Sequence, residues 1–109
     1  LFQYPWYMVE LLSSHIPKLH SIFKSYHVEK AEVFGSVLTS RFNVDSDIDI
    51  LVTFNGHIAL LDYADNYFDL KDALERLLER NVDLVSAKSL KNPVLIESIN
   101  SSKKSLYAA

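Results

Sequence analysis

The sequence contains no cysteine, which excludes disulfide bonds and thiolate metal sites and fits a reducing compartment. It has no apolar run of membrane-spanning length and no signal-peptide pattern, so we expect a cytoplasmic protein without a membrane partner. Its basic residues are scattered, with 11 Lys and Arg against 14 Asp and Glu, a formal net charge of −3. An extended nucleic-acid surface is therefore not expected, whereas a small anionic ligand that arrives with a divalent cation fits this balance.

The composition is that of an ordinary globular protein. Of the 109 residues, 49% are hydrophobic and 23% are charged, which is typical of a folded domain. A chain of this length can bury a core but has no room for a second domain. We therefore predict one domain spanning residues 1–109.

The hydrophobic pattern predicts alternating helices and strands. A first helix is expected after Pro5, and a second in "SSHIPKLHSIFKSYHV", kinked or restarted at Pro17. Strands are predicted in "KAEVFG", at residues 47–54 and in "NVDLVS", a long helix at residues 59–80 and a last helix at residues 93–104. The aromatic group of Tyr63, Tyr67 and Phe68 is expected in the core. This order predicts an α+β fold, a small mixed sheet with helices packed on one side.

Two aspartates share one face of the strand at residues 47–54. Asp47 and Asp49 alternate with the apolar residues Ile48 and Ile50. Both carboxylates are therefore expected on the same face of the strand, roughly 6.5–7 Å apart along it. One interpretation is a solvated strand end; the other is a pair of ligands for divalent cations, which relieve the repulsion between carboxylates. Asp83 interrupts the apolar run of the next strand and would complete such a site if the two strands were neighbours.

Gly35 and Ser36 suggest a phosphate site upstream of the aspartates. A glycine allows a sharp turn and a close approach of the backbone to a ligand. A short helix after it would direct its first N–H groups at phosphate oxygens, and the Ser36 hydroxyl could donate another hydrogen bond.

These motifs together resemble a known signature. Gly35-Ser36, ten residues, then Asp47-Ile48-Asp49 is similar to the pattern of the polymerase β-like nucleotidyltransferases, and most similar to that of the minimal nucleotidyltransferases of bacteria and archaea. The likeness extends from "VFGS" through "SDIDILV" and the long helix to "VDLVS". It implies the nucleotidyltransferase fold, like the palm of polymerase β.

The resemblance also implies a role for each matching residue. Asp47, Asp49 and Asp83 would be the catalytic carboxylates and would ligate two Mg²⁺ ions, with Asp83 helping to activate the attacking hydroxyl. Gly35 and Ser36 would hold the β- and γ-phosphates of ATP or another nucleoside triphosphate. The reaction would be in-line attack on the α-phosphorus with loss of pyrophosphate.

One departure from the family pattern concerns the residues after Gly35-Ser36. Many members continue with alanine, arginine and a second glycine, whereas this chain has Leu38, Thr39 and Ser40. The nearest guanidinium is that of Arg41, which we assign as a candidate triphosphate ligand. The departure predicts weaker catalysis rather than another fold.

Two hypotheses about function follow from the resemblance. The first is a Mg²⁺-dependent enzyme that moves AMP, or another NMP, onto a hydroxyl of a partner protein. The family implies a HEPN-type toxin as this partner, which would make the chain the antitoxin of a toxin–antitoxin pair. The second is a non-catalytic antitoxin, or a nucleotide-binding module, that neutralises its partner by contact alone.

Overall fold

A computed structural model describes residues 11–35, 45–56 and 58–109 of the chain. Its main elements, in chain order, are α1 (Ile16–Ser25), β1 (Val28–Phe34), β2 (Ile48–Phe54), α2 (Tyr63–Leu78), β3 (Val82–Ser86), α3 (Pro93–Ser102) and β4 (Lys104–Ala108). Short 3-10 segments precede α2 at Leu60–Asp62 and follow β3 at Ala87–Ser89. Among the described residues, no helix is both long and apolar enough to cross a bilayer.

The four strands form one mixed sheet in the order β3-β2-β1-β4. β1 pairs antiparallel with both β2 and β4, whereas β2 and β3 are parallel. Parallel neighbours cannot be joined by a tight turn, and here the long helix α2 makes the crossover. The α+β class and the mixed sheet are as predicted from the sequence.

One face of the sheet carries the main core. The predicted alternation holds in β2, since Ile48, Ile50 and Val52 are fully buried. They belong to the same core cluster as apolar residues of the two helices on this face: Leu19 and Phe23 of α1 and Leu70, Leu74 and Leu78 of α2. Burying this apolar stripe fixes α2 against the two parallel strands.

The third helix borders the opposite face of the sheet. Ile96 and Lys103 line a cavity of about 170 Å³ together with Leu51 and Thr53, which point away from the main core. Lys103 also forms an ion pair with Glu32 of β1, at 3.1 Å between Nζ and Oε2. α1 and α2 thus cover one face as predicted, and α3 lies beside the other.

The start of α1 follows the prediction made at Pro17. A turn at residues 14 and 15 separates the helical residues 11–13 from α1, which begins at Ile16 with Pro17 in its first turn. Proline is tolerated there because the first N–H groups of a helix have no partner within it. The rest of the helix predicted after Pro5, at residues 5–10, lies outside the described residues.

The sequence prediction missed β4. The segment after α3 was expected to be helical to Lys104, but α3 ends at Ser102 and Lys104–Ala108 pairs with β1. Leu106 belongs to the main core, so β4 directs this apolar side chain toward the face of the sheet that α1 and α2 cover.

Candidate functional site

Two of the three predicted acidic ligands lie side by side on the sheet. In the parallel pairing of β2 with β3, Asp49 is the register partner of Asp83. Neighbouring strands lie about 4.7–4.9 Å apart, and residues in register point to the same face. Asp49 is half-buried and Asp83 is exposed. The arrangement therefore presents two carboxylates from different strands toward one region of solvent.

Gly35 makes room for the Asp49 carboxylate. Gly35 directly follows β1 and has φ +75°, a conformation that L side chains rarely adopt. A Cβ placed on Gly35 would overlap Oδ2 of Asp49 and would lie 3.1 Å from its Cγ. The end of β1 and the carboxylate of β2 can approach this closely only because residue 35 lacks a side chain.

Asp47 lies just before β2, at the edge of a neighbouring cavity. The strand begins at Ile48, one residue later than predicted. Asp47 is exposed and lines a cavity of about 410 Å³ together with Glu75, Glu79 and Arg80. The Arg80 guanidinium donates a hydrogen bond of 3.0 Å to the carbonyl of Ser46, which ties this approach to β2 to the residues after α2.

The chemistry of these residues fits a divalent cation with open coordination. Carboxylate oxygens are the protein ligands that Mg²⁺ takes, one or two per ion, with substrate phosphates and water completing the octahedron. Within residues 11–35, 45–56 and 58–109, no group of three acidic, His or Cys side chains lies close enough together to hold a metal ion, so Asp47 does not join Asp49 and Asp83 in one cluster. A site built from Asp49 and Asp83 would thus depend on a nucleotide for further ligands.

Side chains of α2 bind the outer edge of β3. The Val82 N–H donates to Oε2 of Glu75 at 2.8 Å, and the Tyr67 hydroxyl donates to the carbonyl of Leu84. Sequence reasoning missed both contacts, because Glu75 lies in a run of charged residues typical of a solvated helix face and Tyr67 was expected in the core. Tyr67 and Glu75 are eight residues apart, about two helical turns, which places both on one side of α2. This shared side was the signal in the sequence that both could contact the same neighbouring strand.

The ionisation of the Tyr67 hydroxyl is clearly shifted. Burial raises the pKa of its hydroxyl above the usual 10.0. The Lys71 ammonium acts in the opposite direction, and the negative charge of Asp83 adds to the increase.

Phe68, also expected in the core, is 62% exposed, so that expectation was wrong.

Several predicted residues fall outside the described ranges. Ser36 and Arg41, the candidate phosphate ligands, lie there, as do Leu38, Thr39 and Ser40, where the chain departs from the family pattern. Their assigned roles remain predictions from the sequence.

One family model matches most of the chain. The model of the family described as "Polymerase beta, Nucleotidyltransferase" matches residues 17–109, which include both parallel strands and all three aspartates. The chain belongs to the polymerase β nucleotidyltransferase family. The predicted class of enzyme, a nucleotidyltransferase, is therefore confirmed.

Relatives place the chain among the minimal nucleotidyltransferases of this family. The protein adenylyltransferase MntA of Thermococcus cleftensis is 37% identical over 84 residues, 77% of this chain and 78% of that protein. A solved structure described as a candidate minimal nucleotidyltransferase is 35% identical, with a TM-score of 0.70 over 88% of this chain and 93% of that one.

A third comparison shows the fold of this nucleotidyltransferase in a complex. The structure is described as a tri-AMPylated HEPN toxin of Shewanella oneidensis with its MNT antitoxin. The match has a TM-score of 0.63 at 22% identity and covers 90% of this chain and 73% of the other. At that identity the match shows a shared fold.

Proposed function

We propose that this minimal nucleotidyltransferase is a Mg²⁺-dependent protein adenylyltransferase, which moves AMP from ATP onto a hydroxyl of a HEPN-type toxin and so acts as its antitoxin. The observation that carries the proposal is the side-by-side placement of Asp49 and Asp83 on one face of the sheet. The names of the relatives support AMP as the transferred group and a HEPN protein as the acceptor. A cytoplasmic location, where ATP is supplied, belongs to the same proposal.

We assign the metal ions to three carboxylates, those of Asp47, Asp49 and Asp83. Two Mg²⁺ ions bound there with the nucleotide would neutralise charge on the entering and leaving oxygens of the displacement. The Asp49 carboxylate occupies the space that Gly35 leaves at the end of β1, so it lies against the first residue of the proposed phosphate-binding segment. Gly35, Ser36 and Arg41 are the proposed triphosphate ligands.

The chemical step would be one displacement at the α-phosphorus. The acceptor oxygen forms a bond to that phosphorus, the bond to the oxygen of the β-phosphate breaks, and pyrophosphate leaves. Asp83 is exposed on the face that it shares with Asp49, so an acceptor hydroxyl can reach it and pass its proton to that carboxylate.

The proposal is tested by incubating the chain with Mg²⁺, labelled ATP and the HEPN-type protein encoded beside it. We expect label on the partner and release of pyrophosphate. Asp49→Ala combined with Asp83→Ala should lower the rate of transfer by at least about 100-fold, which corresponds to a loss of about 2.7 kcal/mol of transition-state stabilisation. The control is Asp65→Ala with Asp69→Ala, which removes two exposed carboxylates from the outer side of α2.

The same variants separate catalysis from inhibition by contact. If the wild-type chain transfers no AMP with any nucleotide, the enzymatic proposal fails. If the Asp49 and Asp83 double variant still silences the toxin while transfer is lost, the chain acts by binding alone. If the purified chain silences the toxin only when ATP and Mg²⁺ are present, the enzymatic mechanism is supported.

A further inference from the structure

We infer that Tyr67 and Glu75 are positioning residues for Asp83: they bind β3 on either side of it and so set its distance from Asp49. The inference rests on the proposed metal-binding role of Asp83. It gives a function to two side chains of α2 that the displacement at phosphorus does not itself require.

Among the strands of the described residues, β3 lies at the edge of the sheet, and no other described strand pairs with its outer backbone groups. Alternate residues of a strand direct their backbone groups to opposite edges, so residues 82 and 84 face outward while residue 83 faces β2. The carbonyl of Asn81 follows this alternation, because it accepts from the N–H of Ile48 in β2 at 3.0 Å.

The two contacts from α2 meet the outward-facing residues on each side of Asp83. Glu75 Oε2 accepts from the N–H of Val82 at 2.8 Å, and the Tyr67 hydroxyl donates to the carbonyl of Leu84. Hydrogen bonds to an ionised carboxylate are stronger than those between neutral groups, so Glu75 holds residue 82 firmly. Residue 83 is thereby fixed between the ladder to β2 and the side chains of α2.

Glu75 itself is held in place by a second contact. The Lys71 ammonium lies 3.4 Å from the same oxygen, Oε2, one helical turn earlier. Lys71 and Glu75 are only partly exposed, so this pair has less freedom than an ion pair in bulk solvent. The helix therefore presents a constrained acceptor, rather than a mobile surface carboxylate, to the edge of β3.

Loss of these contacts should act on the metal site through the position of Asp83. An edge strand freed from one side can twist or fray, and the partners that orient a metal ligand are worth about 10–100-fold in metal affinity or activity. A displacement of about 1 Å is enough to reduce catalysis by two orders of magnitude. Binding of the triphosphate at the proposed ligand Gly35, which lies beside Asp49 at the end of β1, should change less.

The test measures Mn²⁺ binding by electron paramagnetic resonance, with a non-hydrolysable ATP analogue present, alongside kcat and KM for AMP transfer. Glu75→Ala and Tyr67→Phe should each weaken Mn²⁺ binding by about tenfold. Both should lower kcat with little change in the KM for ATP. Glu75→Gln keeps an oxygen that accepts from Val82 and should retain most of the wild-type affinity.

Tyr63→Phe is the matched control. Tyr63 lies one turn before Tyr67, and its hydroxyl shares a hydrogen bond of 2.7 Å with Oγ of Ser86, three residues beyond Asp83. This variant removes the same atom from the same side of α2 without freeing the backbone beside Asp83. We expect its Mn²⁺ affinity to stay within about twofold of the wild type, well below the effect of a lost orienting contact.

Two further measurements keep the outcomes distinct. Hydrogen exchange at the Val82 amide should be faster in Glu75→Ala than in the wild type. If Glu75→Ala does not fold, Mn²⁺ binding by Tyr67→Phe tests the inference instead. Wild-type Mn²⁺ affinity in Tyr67→Phe and in a folded Glu75→Ala variant overturns the inference, as does an equal loss in Tyr63→Phe. Wild-type Mn²⁺ binding and transfer in Asp83→Asn would instead overturn the proposed function.

Discussion

The Asp49 carboxylate occupies the space into which a side chain at Gly35 would project. Gly35 directly follows β1, and Phe34, just before it, is the register partner of Asp49 in the antiparallel strand β2. The end of one strand and the acidic ligand of the next are therefore fitted to each other. This relation makes Gly35 necessary for a reason beyond its proposed contact with phosphate.

Gly35→Ala should reduce both stability and activity. The left-handed conformation at residue 35 costs an L side chain roughly 1–2 kcal/mol, and the added methyl would displace the carboxylate of Asp49. We expect the melting temperature to fall by at least about 4 °C. Calorimetry and an AMP-transfer assay would check the two effects.

Gly56→Ala is the control for this substitution. A Cβ at Gly56 meets no atom within 4 Å, and its φ lies outside the left-handed region. There the change should be neutral or stabilising by about 0.4–1 kcal/mol, because alanine restricts the unfolded chain. Equal losses in the two variants would contradict the role assigned to Gly35.

Lys103→Met should destabilise the attachment of α3 to the sheet. Only 24% of the Lys103 side chain and 12% of its partner Glu32 are exposed. Oε1 of Glu32 is buried without a hydrogen-bond partner among the described residues, so loss of the ammonium leaves this carboxylate poorly compensated. The free energy of unfolding, measured with urea, should fall by about 2–3 kcal/mol, which is less than the roughly 3–5 kcal/mol of a fully buried broken pair because this pair keeps some contact with solvent.

An exposed ion pair on α2 offers the comparison. Arg76 and Asp72 approach to 2.9 Å, but their side chains are 80% and 57% exposed. Arg76→Ala should therefore change the free energy of unfolding by less than about 0.5 kcal/mol, as is usual for surface pairs. A larger loss in Arg76→Ala than in Lys103→Met would show that burial is not what gives the Lys103 pair its effect.

The raised pKa of Tyr67 predicts a loss of stability in alkaline solution. Folding favours the protonated hydroxyl, so the contribution is complete below about pH 10, the unfolded value, and is lost as pH rises through the folded pKa. Urea unfolding at increasing pH should show a smaller alkaline decline in Tyr67→Phe than in the wild type. A wild-type decline in the variant would assign the effect to other groups.

Asp83→Asn provides a second check on the same tyrosine. Because the negative charge of Asp83 helps to raise the pKa of Tyr67, its removal should lower that pKa. The shift can be followed by ultraviolet absorbance, as the difference between spectra recorded with and without Tyr67→Phe. An unchanged midpoint would indicate that burial alone sets the pKa.

Asn92→Ala should weaken the start of α3. The Asn92 side chain accepts hydrogen bonds from the N–H groups of Val94 and Leu95, at 3.0 and 3.4 Å. Loss of such a cap costs about 1 kcal/mol. Ser101→Ala, near the other end of α3, removes an exposed hydroxyl bonded to the carbonyl of Ser98 and should have little effect on thermal unfolding.

The parts of the fold that could be predicted are those with a strong local pattern. Strict alternation identified β2 and its two faces, and apolar residues three and four apart identified α2. The adjacency of Asp49 and Asp83 was a conditional expectation, because sequence periodicity assigns a strand's faces but not its neighbour. The family resemblance supplied that neighbour.

The parts that could not be predicted depend on contacts across the fold. β4 has the sequence "KSLYA", in which Leu106 alone is buried, and its extended form is supported by pairing with β1. Glu75 sits in a run of charges typical of a solvated helix face. Its hydrogen bond to Val82 arises only after α2 has packed beside β3.

The crossover between the two parallel strands also determines when the candidate site comes into existence. The whole of α2 separates Asp49 from Asp83 in the chain, and the two residues meet only where β2 pairs with β3. A partly folded chain in which these two strands are not paired would therefore lack the candidate site. A single proteolytic cleavage between the two strands would leave both carboxylates chemically intact, yet it could separate β3 from β2 and so remove one acid from the other.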